Sequence, residues 1–448
     1  MVTSYSLLQA LASCQATRDF DQRVLSVFAP DAIRHAFDPD VERERIYHSL
    51  PLFFTFLNQT LHRDSCRDAI SRGILGGWLP AKTCPHNSAY CNARLRMSET
   101  GLHDLMVESG QRLSQAGPLQ PGCRPIRVVD GSGTQLPDTK ANQKEYPQPS
   151  AQSPGCGFPV LFFVVLMDLY SGAILELEAG DLAINERTLF RRLWDRLAAG
   201  DIVLGDRGFD AYADMALLLQ RRVDSIFRLH PHRTIDLSRA RKNGRGDWCL
   251  DLPVPVRPPQ WAAGKSLPPT LRVRIVEFKP PRGCRVKGNI RLVTTLLDPL
   301  LYPKSWLKAM YARRWEMEVT LHHIKTTMKL EELHGKSPAM CRKELYMGLL
   351  VYNLVRWLML AAAHKVGVPV DRISFKGTWQ RLVEWINAPL DDRDKLFRLM
   401  RGLIGRDLVP HRPNRREPRR IKRRPKTYPL LYHPRKESLE WEIQNAHH

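Results

Sequence analysis

Apolar positions along the chain follow two different periods. Up to about residue 120 they recur at helical spacing, in 6–11, 50–61 and 102–113, with polar breaks at 29–31 and 83–87, which predicts a mostly helical region. From Arg124 the period shortens. Ile126, Val128 and Val129 predict a short strand ending at Asp130-Gly131-Ser132-Gly133. After a polar stretch at 139–157, rich in Pro, Gln and Ser, residues 159–169 are almost continuously apolar, as a strand buried on both faces requires. Ser171-Gly172 turns the chain back into 173–177, so the two runs read as an antiparallel hairpin. Asn185 can cap a helix whose Leu189, Phe190, Leu193, Trp194 and Leu197 share one face, with Gly200 at its end. Residues 202–204 form a short buried strand leading into Gly205-Asp206-Arg207-Gly208-Phe209. Asp210 opens another helix through Leu219, and 225–229 supplies a further strand.

Strand, hairpin, helix, strand, helix, strand is the order of an RNase H-like mixed α/β sheet. Residues 231–303 break it with many Pro and Gly and strand-like runs at 271–278 and 290–297; they read as a β-rich insertion or as a separate β domain. Long helices are expected at 304–329 and 340–364, and a less regular C-terminal region after them. The expected organisation is a helical N-terminal domain (1–120), an α/β domain in two parts (121–230 and 304–365) around the insertion (231–303), and an irregular, basic C-terminal region (366–448). Residues 348–363 are the most apolar stretch, but Asn353 and Arg356 interrupt it, which favours a buried helix over a membrane span. The first twenty residues lack the basic start and apolar core of a signal peptide. A soluble protein, in no membrane, is expected.

Composition adds a partner class. With 43% hydrophobic and 25% charged residues the composition is that of a globular protein, which excludes disorder along the whole chain. Lys and Arg number 68 against 46 Asp and Glu, a net charge of +22. A polyanion is therefore the first partner to consider, the other reading being a basic enzyme without one. Nine of the fifteen residues 412–426 are basic and three are Pro, which forbids a continuous helix and suggests a flexible arm for phosphates or a solvated tail. Residues 88–96, with Tyr90, Asn92, Arg94 and Arg96, suit a helix along phosphates or simply a solvated face. Nine scattered Cys indicate a reducing compartment, and Cys84, His86 and Cys91 lack the further ligand pair of a zinc site.

The candidate chemistry is acidic. Asp130 and Asp206 each follow an apolar strand, and in an RNase H-like sheet these strands are neighbours. Two hard carboxylates at one sheet edge would suit Mg²⁺ beside phosphate, although Asp next to Gly is also an ordinary turn. On a helix of about 100° per residue, Tyr311, Arg314, Glu318 and Lys325 fall near 0°, 300°, 340° and 320°, with Glu316 near 140° on the far side. That stripe makes a poor core; it suits a carboxylate held among phosphates, or a plain i,i+4 pair of Arg314 with Glu318.

Tyr311, two residues, Arg314, three residues, Glu318, six residues, Lys325 resembles the complete signature of the IS-four family of insertion-sequence transposases. Asp130 and the segment 205–209 look like that family's two other acidic motifs, and 88–94 and 422–430 resemble its flanking segments. The resemblance implies a DNA transposase with an RNase H-like catalytic domain. Asp130, Asp206 and Glu318 would be its metal ligands for two Mg²⁺ ions, with Mn²⁺ able to substitute. Tyr311, Arg314 and Lys325 would contact the transposon end, joined by Arg94 and Arg207. Trp315 would stack on a displaced base, or pack in the core. The N-terminal helices would read the terminal inverted repeats of double-stranded DNA, and a homodimer would hold two ends for cut-and-paste transfer in the cytoplasm, at the nucleoid. The other expectations are a catalytically inactive, domesticated DNA-binding protein, or a nuclease that cuts without joining.

Overall fold

The computed structural model describes residues 30–37, 46–117, 123–230, 233, 235–280, 288–386, 393–410, 434, 437–438 and 440. The segments 6–11, 412–426 and 422–430 lie outside them.

Among the described residues five helices come first: α1 (Pro30–Phe37), α2 (Ser49–His62), α3 (Cys66–Leu75), α4 (Ser88–Arg96) and α5 (Glu99–Gln115). Of the break expected at 29–31, Ala29 lies outside the described residues, and Pro30 and Asp31 prove to be the start of α1, with Asp31 in its first turn. Ser65 and Ser98 cap α3 and α5 by accepting from the backbone N–H three residues on.

The remaining chain builds one mixed sheet. Its strands are β1 (Ile126–Gln135), β2 (Val160–Asp168), β3 (Ile174–Gly180), β4 (Ile202–Gly205), β5 (Asp224–Arg228), β6 (Arg241–Gly244), β7 (Asp247–Pro253), β8 (Thr270–Phe278) and β9 (Ile290–Thr294). Three helices lie between them: α6 (Lys140–Glu145), α7 (Glu186–Arg192) and α8 (Tyr212–Gln220). The spatial order is β3-β2-β1-β4-β5-β9-β8-β7-β6. β1, β2 and β3 are antiparallel, whereas β1–β4 and β4–β5 are parallel. The β-rich stretch is not a sheet of its own: β9 pairs with β5 through Ile226↔Thr294 and Phe227↔Val293, so its strands extend the sheet.

After the sheet come α9 (Lys304–Arg313), α10 (Trp315–His322), α11 (Pro338–Val366), α12 (Phe375–Ile386) and α13 (Arg393–Arg406). The single helix expected over 304–329 is broken at Arg314, where two successive i→i−3 bonds tighten the backbone (Arg314 N–H to Tyr311, Met317 N–H to Arg314). It ends in a π-turn at His323–Thr327; both departures from α-geometry are local devices that re-aim side chains. The C-terminal region is more regular than expected, since α12 and α13 pack against α11.

α11 is the spine. Ser337 caps it, Pro338 opens it and Gly367 at φ 69° closes it. Its length and composition would suffice to cross a membrane, yet 94% of its most apolar window is buried inside the protein. Asn353 belongs to this packing: its amide bonds both backbone groups of Ile174 in β3 and reaches Met106 and Ser109 of α5. Gly110 lets α5 approach there, because a methyl group would fall 1.9 Å from the Ile174 carbonyl oxygen. The buried Lys343 donates to the carbonyls of Arg94 and Leu95 at the end of α4, tying the N-terminal helices to the spine.

Candidate active site

Asp130 lies inside β1, not at its end, opposite Val165 of β2. On its other side Val128 pairs in parallel with Leu204, and β4 stops at Gly205. Continuing that register by two residues sets Asp130 beside Asp206, where β1 has outrun its neighbour. Each carboxylate is held by a following glycine: Gly131 N–H donates to Asp130 Oδ1 at 2.9 Å, and Gly208 N–H to Asp206 Oδ1 at 2.6 Å. Phe209, buried against Phe190 and Phe227, pins the loop that carries Asp206.

The junction of α9 and α10 supplies the rest. Arg314 Nη2 donates to Glu318 Oε1 at 2.6 Å, and Nη1 lies 3.8 Å from Asp130 Oδ2. One guanidinium thus joins the first acidic motif to the third. Burial works against the Arg314 charge, but Glu318, Tyr311 and Asp130 hold its pKa above the ordinary value. Tyr311 is buried with its ring 5.9 Å from that guanidinium. Burial pushes its hydroxyl pKa up, Arg314 and Arg228 pull it back, and Asp206 pushes it up again. Burial likewise pushes Asp130 up to about 6; Arg314 and the Gly131 N–H lower it, and Asp206 and Glu318 raise it. The three acids and Tyr311 therefore share one electrostatic neighbourhood.

Other residues singled out in the sequence fall in different places. Lys325 is half-buried on the π-turn. Arg207 is exposed beside Asp206. Trp315 is 62% exposed, so it is not a core residue. Arg94 is a correction. It is only 7% exposed, stacks on Phe56 and Tyr90, and bonds Gln59 and Cys66, with Glu344 of α11 at 3.7 Å. It is an interior strut of the helical region and presents no charge to a passing phosphate.

Two residues had gone unnoticed. Arg228 ends β5 beside Tyr311. Glu186, the first residue of α7, faces Asp130 and Asp206; burial and those two charges push it up to about 7. Only its place just after the capping Asn185 marked it in the sequence.

Hard carboxylate oxygens are the right donors for a divalent cation such as Mg²⁺ or Mn²⁺. As they stand, no three His, Cys, Asp or Glu side chains among the described residues converge closely enough to hold an ion, and Glu318 is turned onto Arg314.

The transposase DDE domain family matches residues 121–354, slightly more than half of the chain. The chain is therefore a DDE transposase, an enzyme of phosphoryl transfer on DNA. Within that class it belongs to the IS4 family of insertion-sequence transposases. It is 27% identical over 359 residues to the transposase InsG for insertion sequence element IS4 of Escherichia coli K12, covering 76% of this chain and 78% of that protein. It is 23% identical over 184 residues to a probable transposase for insertion sequence element IS5377 of Geobacillus stearothermophilus, 40% of this chain and 44% of that one. Among solved structures, the piggyBac transposase in a synaptic complex with hairpin DNA aligns over 92% of this chain and 87% of its own, at 10% identity and a TM-score of 0.45.

Proposed function

We propose that this transposase binds the terminal inverted repeats of its element and cuts and rejoins them by a cut-and-paste route, using Asp130, Asp206 and Glu318 to hold two Mg²⁺ ions on an RNase H-like sheet. The observation that carries the reading is the register that sets Asp130 beside Asp206, with Arg314 bridging Asp130 to Glu318. The order β3-β2-β1-β4-β5, antiparallel then parallel, supports the RNase H-like assignment.

Bound divalent ions would stabilise the entering and leaving oxygens of an in-line displacement. Water attacks the phosphodiester at the element's end, the P–O3′ bond breaks, and the 3′-oxygen leaves as a hydroxyl. That hydroxyl then attacks a target phosphodiester, forming a new P–O bond and releasing the target's own 3′-hydroxyl. The chain's residues prepare both steps. Glu318 gives up Arg314 to join the two aspartates, and the freed guanidinium turns to the scissile phosphate, where it offsets charge that grows in the transition state. The Tyr311 hydroxyl, protonated throughout the working pH range, donates to a phosphate oxygen. Lys325 and the exposed Arg207 fix the backbone of the end, and Trp315 offers a solvent-facing ring for stacking on an unpaired base. Two ends require two active sites, so a homodimer holds the synaptic complex; the setting is the cytoplasm, at the nucleoid.

The reading is tested with paired inverted-repeat ends and Mg²⁺. Asp130→Ala, Asp206→Ala and Glu318→Ala should each abolish nicking while end binding survives. Mg²⁺-dependent nicking retained by any of the three overturns the assignment. Nicking without joining by the wild type would make the chain a nuclease, and binding alone a DNA-binding protein without catalysis.

A further inference from the structure

Cys66 opens α3, Cys91 sits in α4, and their sulfurs lie 3.8 Å apart. The segment 76–87 separates the two helices, so the contact is made by packing and not by neighbours on one helix face. Among the described residues no other two thiols touch. Nor is this the sealed pair of an apolar core, where a thiol serves as a small hydrophobe. Both residues are half-buried, within reach of a small polar molecule.

A buried charge supplies the second observation. Arg94 is only 7% exposed, its Nε has no hydrogen-bond partner, and its ion-pair partner Glu344 stays 3.7 Å away. Its Nη2 donates instead to Cys66 Sγ at 3.2 Å and reaches Cys91 Sγ at 3.9 Å. Gln59 Nε2 also donates to Cys66 Sγ, at 3.5 Å, while the Tyr90 hydroxyl holds the Gln59 Oε1. A neutral thiol is a weak acceptor for such donors; a thiolate is a strong one and balances the guanidinium. Burial pushes the Cys66 thiol up from its ordinary value and Arg94 pulls it back. Cys66 is therefore protonated at rest, and its anion, once formed, lies against a cation.

We propose that Cys66 and Cys91 are a peroxide-sensitive dithiol that closes into a disulfide and clasps α3 to α4. The oxidant is hydrogen peroxide. The Cys66 thiolate attacks one peroxide oxygen: an S–O bond forms, the O–O bond breaks, and hydroxide leaves and takes up a proton. The Cys91 sulfur then attacks the sulfenic sulfur: the S–S bond forms, the S–O bond breaks, and a second water departs with the Cys91 proton. The two sulfurs lose two electrons and one peroxide is reduced to two waters. Because the resolving thiol is already in contact, the sulfenic acid is consumed before further oxidation. The bond closes a loop through 76–87 in the unfolded chain, which makes the oxidised form the more stable one. It sits on the helix whose Arg94 and Leu95 carbonyls accept from Lys343 of the spine. The proposal stands apart from the acidic site and does not rest on the reading of it.

The test treats the reduced full chain with hydrogen peroxide, blocks the remaining thiols with iodoacetamide and maps crosslinks by mass spectrometry. Cleavage after Arg63, Arg67, Lys82 and Arg94 leaves Cys66 on one peptide and Cys84 with Cys91 on another. Cys84→Ser is therefore run beside the wild type to show which of the two is joined. A crosslink between 66 and 91 is expected in both chains, with a melting temperature several degrees above that of the reduced form. Dithiothreitol should return it to the starting value. Cys91→Ser should show neither the crosslink nor the rise; if that variant does not fold, the wild type and Cys84→Ser decide the matter alone. Cys66 and Cys91 still open to alkylation at a peroxide level that has oxidised the exposed Cys84 and Cys123 overturn the proposal, and so does a bond from Cys66 to Cys84 alone. A 66–91 crosslink that leaves the melting temperature unchanged or lowers it is a lesion and not a clasp, and overturns it too.

Discussion

Arg314 stands among the carboxylates of the site. Its guanidinium holds Glu318 at 2.6 Å and approaches Asp130 at 3.8 Å, so it competes with any ion for the same oxygens. Arg314→Ala should therefore tighten Mn²⁺ binding while slowing strand cleavage by roughly two orders of magnitude, the usual cost of losing a group that stabilises transition-state charge. Mn²⁺ titration and single-turnover nicking on one preparation check both halves, and weaker Mn²⁺ binding would contradict the competition. Asp130 gives a pH signature. Burial raises its pKa to about 6, well above the ordinary carboxylate range. The stability linked to its proton is complete below pH 4 and lost as pH rises through 6, so the ionised carboxylate burdens the fold at pH 8 by about 3 kcal/mol. In chelator, Asp130→Asn should melt higher than wild type at pH 8, and the gap should close towards pH 4. A gap independent of pH would mean that the substitution acts through packing. At this scale the sequence was legible where spacing carries information: Tyr311, Arg314 and Glu318 do meet. It was silent where environment decides. Arg94 and Glu186 look like surface charges in one dimension, and only tertiary packing buries the first and turns the second inward.

Elements were legible in kind and less so in extent, for identifiable reasons. Gly131 and Gly133 are poor strand formers, so β1 reads as ending at Asp130. Pairing with the apolar β2 carries it on to Gln135, opposite Val160. The same override puts Asp130 in rigid ladder rather than in a loop, which suits a ligand that must not wander. Residues 304–329 look like one helix because helical period survives the two local departures at Arg314 and the π-turn. Asn353 is the opposite case: in the sequence it marks an interruption of an apolar run, while in the fold it joins α11 to β3 and α5 through bonds to Ile174, Met106 and Ser109. Asn353→Ala leaves both backbone groups of Ile174 buried without that partner, at a cost of about 1–3 kcal/mol for each group stranded. Urea unfolding should show a lower midpoint with an unchanged slope, corresponding to a loss of roughly 2–6 kcal/mol for the two groups together. A loss below about 0.5 kcal/mol would show that water or a neighbour replaces the amide.

At the scale of the whole molecule, nine strands of the described residues share one sheet and α11 braces both that sheet and the N-terminal helices. The order of the first five strands was legible because period and turn residues change sharply from Arg124 onward. The joining of β9 to β5 was not, since nothing local says which edge a strand seeks. The Lys343 bonds to the end of α4 and the contact of Arg94 with Glu344 make a firm path from the helical region to the spine. A segment that read a DNA end there would be held in fixed register with the acids. Charge follows a different logic from register. Of the net charge of +22, the nine basic residues at 412–426 are the densest part, and three prolines among them suit contacts that need no fixed geometry. Such contacts release counterions whatever the base sequence, and the salt dependence of binding scales by roughly 0.9 per phosphate neutralised on duplex DNA. A chain ending before Arg412 should therefore bind specific and random duplexes more weakly by the same factor. Its slope of log affinity against log salt should be shallower by several units, while preference for the inverted repeat is kept. Fluorescence anisotropy across a salt series measures all three quantities. An unchanged slope would return the arm to solvent, and a selective loss on the inverted repeat would make it a reader of sequence instead.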